Sequence, residues 1–157
     1  MLDIGDTLPE RTITLDDDRQ VGFDTFTGQW LVLYFYPKDS TPGCTDESRQ
    51  FRDLHDAFRA ASAAIVGVSR DSTRSHRNFR SKQELPFPLI SDTDETLCSD
   101  FGVIKEKNMY GRKVLGIERS TFLFDPDGVL RHAWRGVKVA GHAAAVLETL
   151  DRLKRTP

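Results

Sequence analysis

Trp30-Leu31-Val32-Leu33-Tyr34-Phe35-Tyr36-Pro37-Lys38-Asp39-Ser40-Thr41-Pro42-Gly43-Cys44 is the stretch from which the rest of the chain is read. Trp30 to Tyr36 form one continuous apolar run that Pro37 ends. The run is too short for a typical helix and rich in aromatic and branched side chains, which predicts a buried central strand. Beyond Cys44, the residues Phe51, Leu54, Phe58 and Ala61 recur at helical spacing, the stripe of a core-facing helix. Cys44 stands two turns before Phe51, on the same inner face and in the first turn. The pattern therefore puts a thiol at a strand–loop–helix junction.

That position has chemical consequences. The first turn of a helix presents unpaired N–H groups and the positive end of the macrodipole, and both favour a thiolate over a thiol. The thiolate is the nucleophile, whereas a free cysteine, with a pKa of about 8.5, is mostly protonated at neutral pH. Thr41 and Cys44 form T-x-x-C at the place where a thioredoxin carries C-x-x-C. A hydroxyl in place of the first sulfur removes dithiol exchange and leaves a hydrogen-bonding group beside a lone nucleophile.

The whole chain narrows the options. Its 157 residues predict one domain, 1–157, with room for a real core. Hydrophobic residues make up 38% and charged residues 29%, as in a soluble globular protein. The net charge is −2, from 22 basic and 24 acidic residues without a long like-charge block, which argues against nucleic acid or an anionic membrane as main partner. Met1-Leu2-Asp3-Ile4 shows no export signal, and no apolar run approaches the roughly 20 residues of a membrane span. Two cysteines do not make a disulfide framework, so a reducing cytoplasm fits.

Thr12–Leu15 and Gln20–Phe23 flank Asp16-Asp17-Asp18 and predict a small N-terminal hairpin, with the aspartates as a solvated turn rather than a calcium loop. Ala63 to Val68 reads as a second buried strand. Ser72 caps a helix to about Glu84, and Pro86 to Ile90 reads as a third strand. Thr93-Asp94-Glu95-Thr96 opens a short helix that Gly102 closes. Val103 to Glu118 shows no clean period and reads as a functional loop leading into a strand that starts at Arg119. Phe124 to Gly128 is a turn, Val129 to Arg135 pairs back, and Ala143, Val146, Leu147, Leu150 and Leu153 mark a terminal amphipathic helix. This order is that of an α/β fold with a central mixed sheet flanked by helices.

Tyr36 to Glu47 resembles the peroxidatic-cysteine signature of the peroxiredoxins, P-x-x-x-T-x-x-C. Lys38-Asp39 and Thr41-Pro42-Gly43-Cys44-Thr45 are similar to the bacterioferritin comigratory protein, or Q, subgroup, and Arg119-Ser120-Thr121 matches the family's active-site arginine. The resemblance implies a thioredoxin-like fold and a thiol-dependent peroxidase acting on hydrogen peroxide and alkyl hydroperoxides. It implies Cys44 as the nucleophile that becomes a sulfenic acid, Thr41 and Arg119 as peroxide-binding groups, and Pro37 as a shield over the sulfur. Gly43 and Cys44 offer backbone N–H donors, and Glu47 matches the glutamate that holds the arginine, a helix-dipole role being the alternative. No pattern points to a cofactor. His55, His76, His132 and His142 show no metal spacing and default to surface positions.

The chain departs from its subgroup at the resolving cysteine. One known position on the Cys44 helix is Arg49, and the alternative on the next helix falls in Asn78-Phe79-Arg80-Ser81. Cys98 is the only other thiol, and its neighbours Leu97 and Phe101 predict a packed, inert group rather than a resolving one. A one-cysteine cycle is expected, with an external thiol (thioredoxin, glutaredoxin or glutathione) as reductant, and the subgroup resemblance implies a monomer. A thiol–disulfide reductase is disfavoured by the absence of C-x-x-C, while a non-catalytic binding domain or a redox sensor would use the same thiolate.

Overall fold

The structure, a computed structural model, describes residues 1–155. The chain opens with an antiparallel hairpin of β1 (Thr12–Thr14) and β2 (Gln20–Gly22), in which Ile13 faces Val21. A 3-10 turn over Phe23–Phe26 buries both of its phenylalanines and leads into β3 (Trp30–Phe35), every residue of which is buried. Next come α1 (Pro42–Asp53), α2 (His55–Ala60), β4 (Ala63–Ser69) and α3 (Thr73–Gln83). They are followed by β5 (Leu89–Ser91), α4 (Thr96–Phe101), β6 (Ile104–Met109) and β7 (Arg112–Ile117). The chain closes with β8 (Ser120–Phe124), β9 (Leu130–Arg135) and α5 (His142–Arg155).

The main sheet has the order β5-β4-β3-β8-β9. β3 runs parallel to β4 and antiparallel to β8, which makes the sheet mixed and β3 its middle. Because successive side chains of a strand point to opposite faces, β3 divides the core in two. Leu31, Leu33 and Phe35 pack with the N-terminal hairpin and with Leu97, Cys98 and Phe101 of α4. Val32 and Tyr34, with Tyr36 beyond the strand, pack with Cys44 and Phe51 of α1, Phe58 of α2, Phe79 of α3 and Val146 and Leu150 of α5. Gly67 of β4 is obligatory to that second layer, because a Cβ there would stand 2.9 Å from the Tyr34 ring. Among the described residues no helix is long and apolar enough to cross a membrane.

Several expectations need correcting. Val103–Glu118 is not a loop but the β6–β7 hairpin, a separate two-stranded ribbon. Its strands expose residues on both faces, and Tyr110 in the turn between them is fully exposed, so no alternation marked them. The helix after Cys44 begins at Pro42 and breaks at Leu54, whose backbone is non-helical. The third strand is Leu89–Ser91 rather than Pro86–Ile90, and Arg119 precedes its strand instead of starting it. Asp16 is not solvated: it is buried and accepts from the Leu89 N–H at 2.9 Å and from Arg80 Nη1 at 3.0 Å. Asp92 joins Asp94 at the start of α4: Asp94 accepts from the Thr96 N–H at 3.2 Å, and Asp92 from those of Leu97 at 3.1 Å and Cys98 at 2.8 Å. His76 and His142 are buried, not surface, residues.

Candidate active site

After Phe35 the chain turns back through Pro37 to Thr41 into α1. The turn uses a left-handed residue, Ser40 at φ 64°, a conformation that costs a non-glycine residue roughly 1–2 kcal/mol. It is braced within the loop by Thr41 Oγ1, which donates to the Lys38 carbonyl at 2.8 Å. Thr41 is the N-cap residue of α1, and its side chain makes no capping bond. Pro42 takes the first helical position, where its missing N–H loses nothing. Gly43 and Cys44 come second and third, so their N–H groups belong to the unpaired first turn. Pro37, half-buried, ends the strand side of the same loop.

Sheet pairing then supplies the cation. β3 and β8 are antiparallel with Phe35 opposite Ser120, so Arg119, one residue before β8, arrives where β3 ends. Its Nη2 lies 3.4 Å from the Cys44 Sγ, and its Nη1 donates to Glu47 Oε1 at 2.8 Å. Glu47 sits one turn along α1 from Cys44, and both are buried. Gly43 lets the guanidinium in: a Cβ at that residue would stand 3.2 Å from Nη2.

Burial pushes the Glu47 carboxyl up to about 7, against the pull of Arg119. Its Oε2 is buried without a hydrogen-bond partner among the described residues. Burial opposes the charge on Arg119, but Glu47 and Cys44 outweigh it and hold the guanidinium above its ordinary value. Arg119 therefore stays cationic between a sulfur and a carboxyl. Such a cation stabilises negative charge on the sulfur and on any oxygen brought against it.

Two nearby residues had no signal in the sequence. Burial, and then Arg119 and Arg70, hold Lys107 of β6 below its ordinary value, and its Nζ donates to the Ile117 carbonyl at 2.6 Å. His142 packs edge-on against Phe51 and Trp134, with Nε2 2.7 Å from Thr121 Oγ1. Burial, and then Arg119, push it down to about 4, so it is neutral at neutral pH. Cys98 is not part of this site. It is buried on the other face of the sheet, and burial and Asp92 raise its thiol well above the ordinary value. Both cysteines are free. Among the described residues, Asp39, Asp71 and His76 alone group metal-ligating atoms, but those of Asp39 and His76 are bonded to each other at 2.7 Å.

The sequence matches the AhpC/TSA family over residues 4–133. The chain belongs to that family. Peroxiredoxin Bcp of Xanthomonas campestris is 59% identical over 138 residues, covering 88% of this chain and 86% of the relative. Peroxiredoxin Bcp of Bacillus subtilis is 45% identical over 149 residues, 95% of each chain. Among solved structures, Xylella fastidiosa PrxQ, as a cysteine-to-serine mutant, superposes with a TM-score of 0.93 at 47% identity, covering 98% of both chains. The X. campestris bacterioferritin comigratory protein, studied for its alkyl peroxide reduction, gives a TM-score of 0.86 at 54% identity over 94% of this chain and 98% of that one. The fold is thus the thioredoxin-like fold of the peroxiredoxins, and the enzyme is a thiol-dependent peroxidase.

Proposed function

We propose that Cys44 is the peroxidatic residue and that the enzyme runs a one-cysteine cycle on hydrogen peroxide and alkyl hydroperoxides. The observation that carries this reading is the Arg119 guanidinium, shared between the Cys44 sulfur at 3.4 Å and Glu47 at 2.8 Å. The thiolate attacks the terminal oxygen of R–O–O–H. An S–O bond forms, the O–O bond breaks, and RO⁻ leaves to take up a proton as ROH, while the sulfur becomes a sulfenic acid. Arg119, the Thr41 hydroxyl and the first-turn N–H groups of Gly43 and Cys44 orient the peroxide and stabilise charge on both oxygens. Glu47 holds Arg119 in place, and Pro37, with no N–H of its own, keeps the sulfur's surroundings dry.

The division of the core supports the second half. Cys98 packs on the far face of the sheet from Cys44, and a disulfide requires Cα atoms within about 7 Å. An external thiol therefore attacks the sulfenic acid, releasing water and forming a mixed disulfide, and a second thiol displaces Cys44. Thioredoxin, glutaredoxin and glutathione are the candidate reductants, and the enzyme works as a cytoplasmic monomer. Stopped-flow reaction of the reduced enzyme with hydrogen peroxide tests the first half: a rate no faster than that of free cysteine would end it. Mapping the cysteines by mass spectrometry after one equivalent of peroxide tests the second. Sulfenic or over-oxidised Cys44 with free Cys98 is expected, and a stoichiometric bond between the two would overturn the one-cysteine cycle.

A further inference from the structure

Asp39 and His76 form a buried pair that the peroxide chemistry above leaves unused. His76 Nδ1 lies 2.7 Å from Asp39 Oδ2, and neither residue reaches solvent appreciably. The other ring nitrogen, Nε2, lies 2.9 Å from the Ile90 carbonyl, which can only accept. Asp39 also accepts from the Tyr36 hydroxyl at 2.6 Å and from Ser75 Oγ at 2.8 Å. The Asp39 carboxyl thus gathers two hydroxyls and an imidazole nitrogen, and the Ile90 carbonyl orients the far side of the same ring. The backbone N–H of Asp39 donates in turn to Asp71 Oδ2 at 2.9 Å, and Asp71 is held by Ser69 at the end of β4.

The location gives this cluster its meaning. Asp39 immediately precedes the left-handed Ser40 and lies in the loop that carries Thr41 and leads into the first turn of α1 with Cys44. Its side chain ties the loop to Tyr36 just beyond β3 and to Ser75 and His76 of α3, and its backbone N–H ties it to Asp71 just beyond β4, so one residue fastens the loop to three separate pieces of the scaffold. A buried polar pair is a poor source of net stability compared with apolar packing, because both groups must leave water. What it does supply is a fixed geometry.

The geometry points to Asp39 and His76 as positioning residues for peroxide reduction. Neither touches the sulfur. The pair locks the backbone of residues 38–41, and through it places Thr41 and the first turn of α1 against the Arg119 guanidinium. The inference rests on Cys44 being the peroxidatic residue.

A double-mutant cycle tests it, read on the reaction of Cys44 with hydrogen peroxide at a temperature where circular dichroism shows every variant folded. Asp39→Asn and His76→Gln should each slow the reaction roughly tenfold to a hundredfold, the loss typical of a reacting group displaced by an ångström. The double variant should be no slower than the slower single one, because either change releases the same tether. Ser75→Ala, which removes one half-buried donor to Asp39, should give a smaller slowing in the same direction and serves if His76→Gln does not fold. A bulky maleimide should label Cys44 faster in the variants than in wild type. Wild-type rates in folded variants, or losses that simply add, would overturn the positioning role. A slow wild-type enzyme would instead overturn the assignment of Cys44.

Discussion

The two thiols of this chain occupy the same place in two different helices. Cys44 is the third residue of α1 and Cys98 the third residue of α4; both are buried, one on each face of the central strand. Helix polarity therefore does not distinguish them. What differs is the side chain brought against each first turn. Arg119 reaches the Cys44 sulfur from just before β8, whereas at Cys98 the Asp92 carboxylate accepts from the Leu97 and Cys98 N–H groups. A cation beside sulfur favours the thiolate, and a carboxylate there, with burial, favours the neutral thiol. Two thiols at equivalent places in their helices thus meet neighbours of opposite sign.

The largest effect that could break this contrast comes from removing the sulfurs themselves. Cys44→Ser should lose all peroxidase turnover and Cys98→Ser should retain it, measured with a thiol reductant in excess. Equal losses would mean that the two faces cooperate. Arg119→Ala should come next, slowing peroxide reduction roughly a hundredfold to a thousandfold, as expected for loss of a preorganised charge at the reacting oxygens. A wild-type rate constant in that variant would make the sign of the neighbour irrelevant.

Thr41→Val keeps the shape and removes the hydroxyl, including its bond to the Lys38 carbonyl. One hydrogen bond to a charged group is worth about 1.5–3 kcal/mol, or roughly one to two orders of magnitude in rate, while Thr41→Ser should keep most activity. Glu47 gives an effect on stability rather than on rate. Its carboxyl rises from 4.5 to about 7 on folding, so the folded state holds that proton more tightly than the unfolded one. The resulting stabilisation is present below pH 4.5 and is lost as pH rises through 7, at most about 1.4 kcal/mol per pH unit. Thermal melts of wild type and Glu47→Gln should therefore shift in favour of the variant between pH 5 and pH 8 (a range of about 3 units). A pH-independent difference would mean that Glu47 stays ionised throughout.

The Cys44 half of the contrast was legible in the sequence, because a buried strand, a loop and an apolar stripe are local patterns. The Arg119 partner was legible only through its resemblance to a family motif, since 75 residues separate it from Cys44. Asp92 was not legible at all: several acids precede α4, and only the fold decides which one faces the N–H groups. His76 and His142 escaped for the same reason, their partners lying far away in sequence on Asp39 and Thr121. The β6–β7 ribbon escaped because a strand exposed on both faces carries no hydrophobic period.

The pairing of β3 with β8 also orders events in time. β3 can pair with β4 across one intervening helical segment, but β8 joins only after most of the chain has been made. Contacts between such distant segments form late and slowly. A growing polypeptide that ends before Arg119 carries Cys44 without the guanidinium that stands beside it in the finished fold. Under the function proposed for Cys44, maturation of the catalyst and completion of its central sheet are one step.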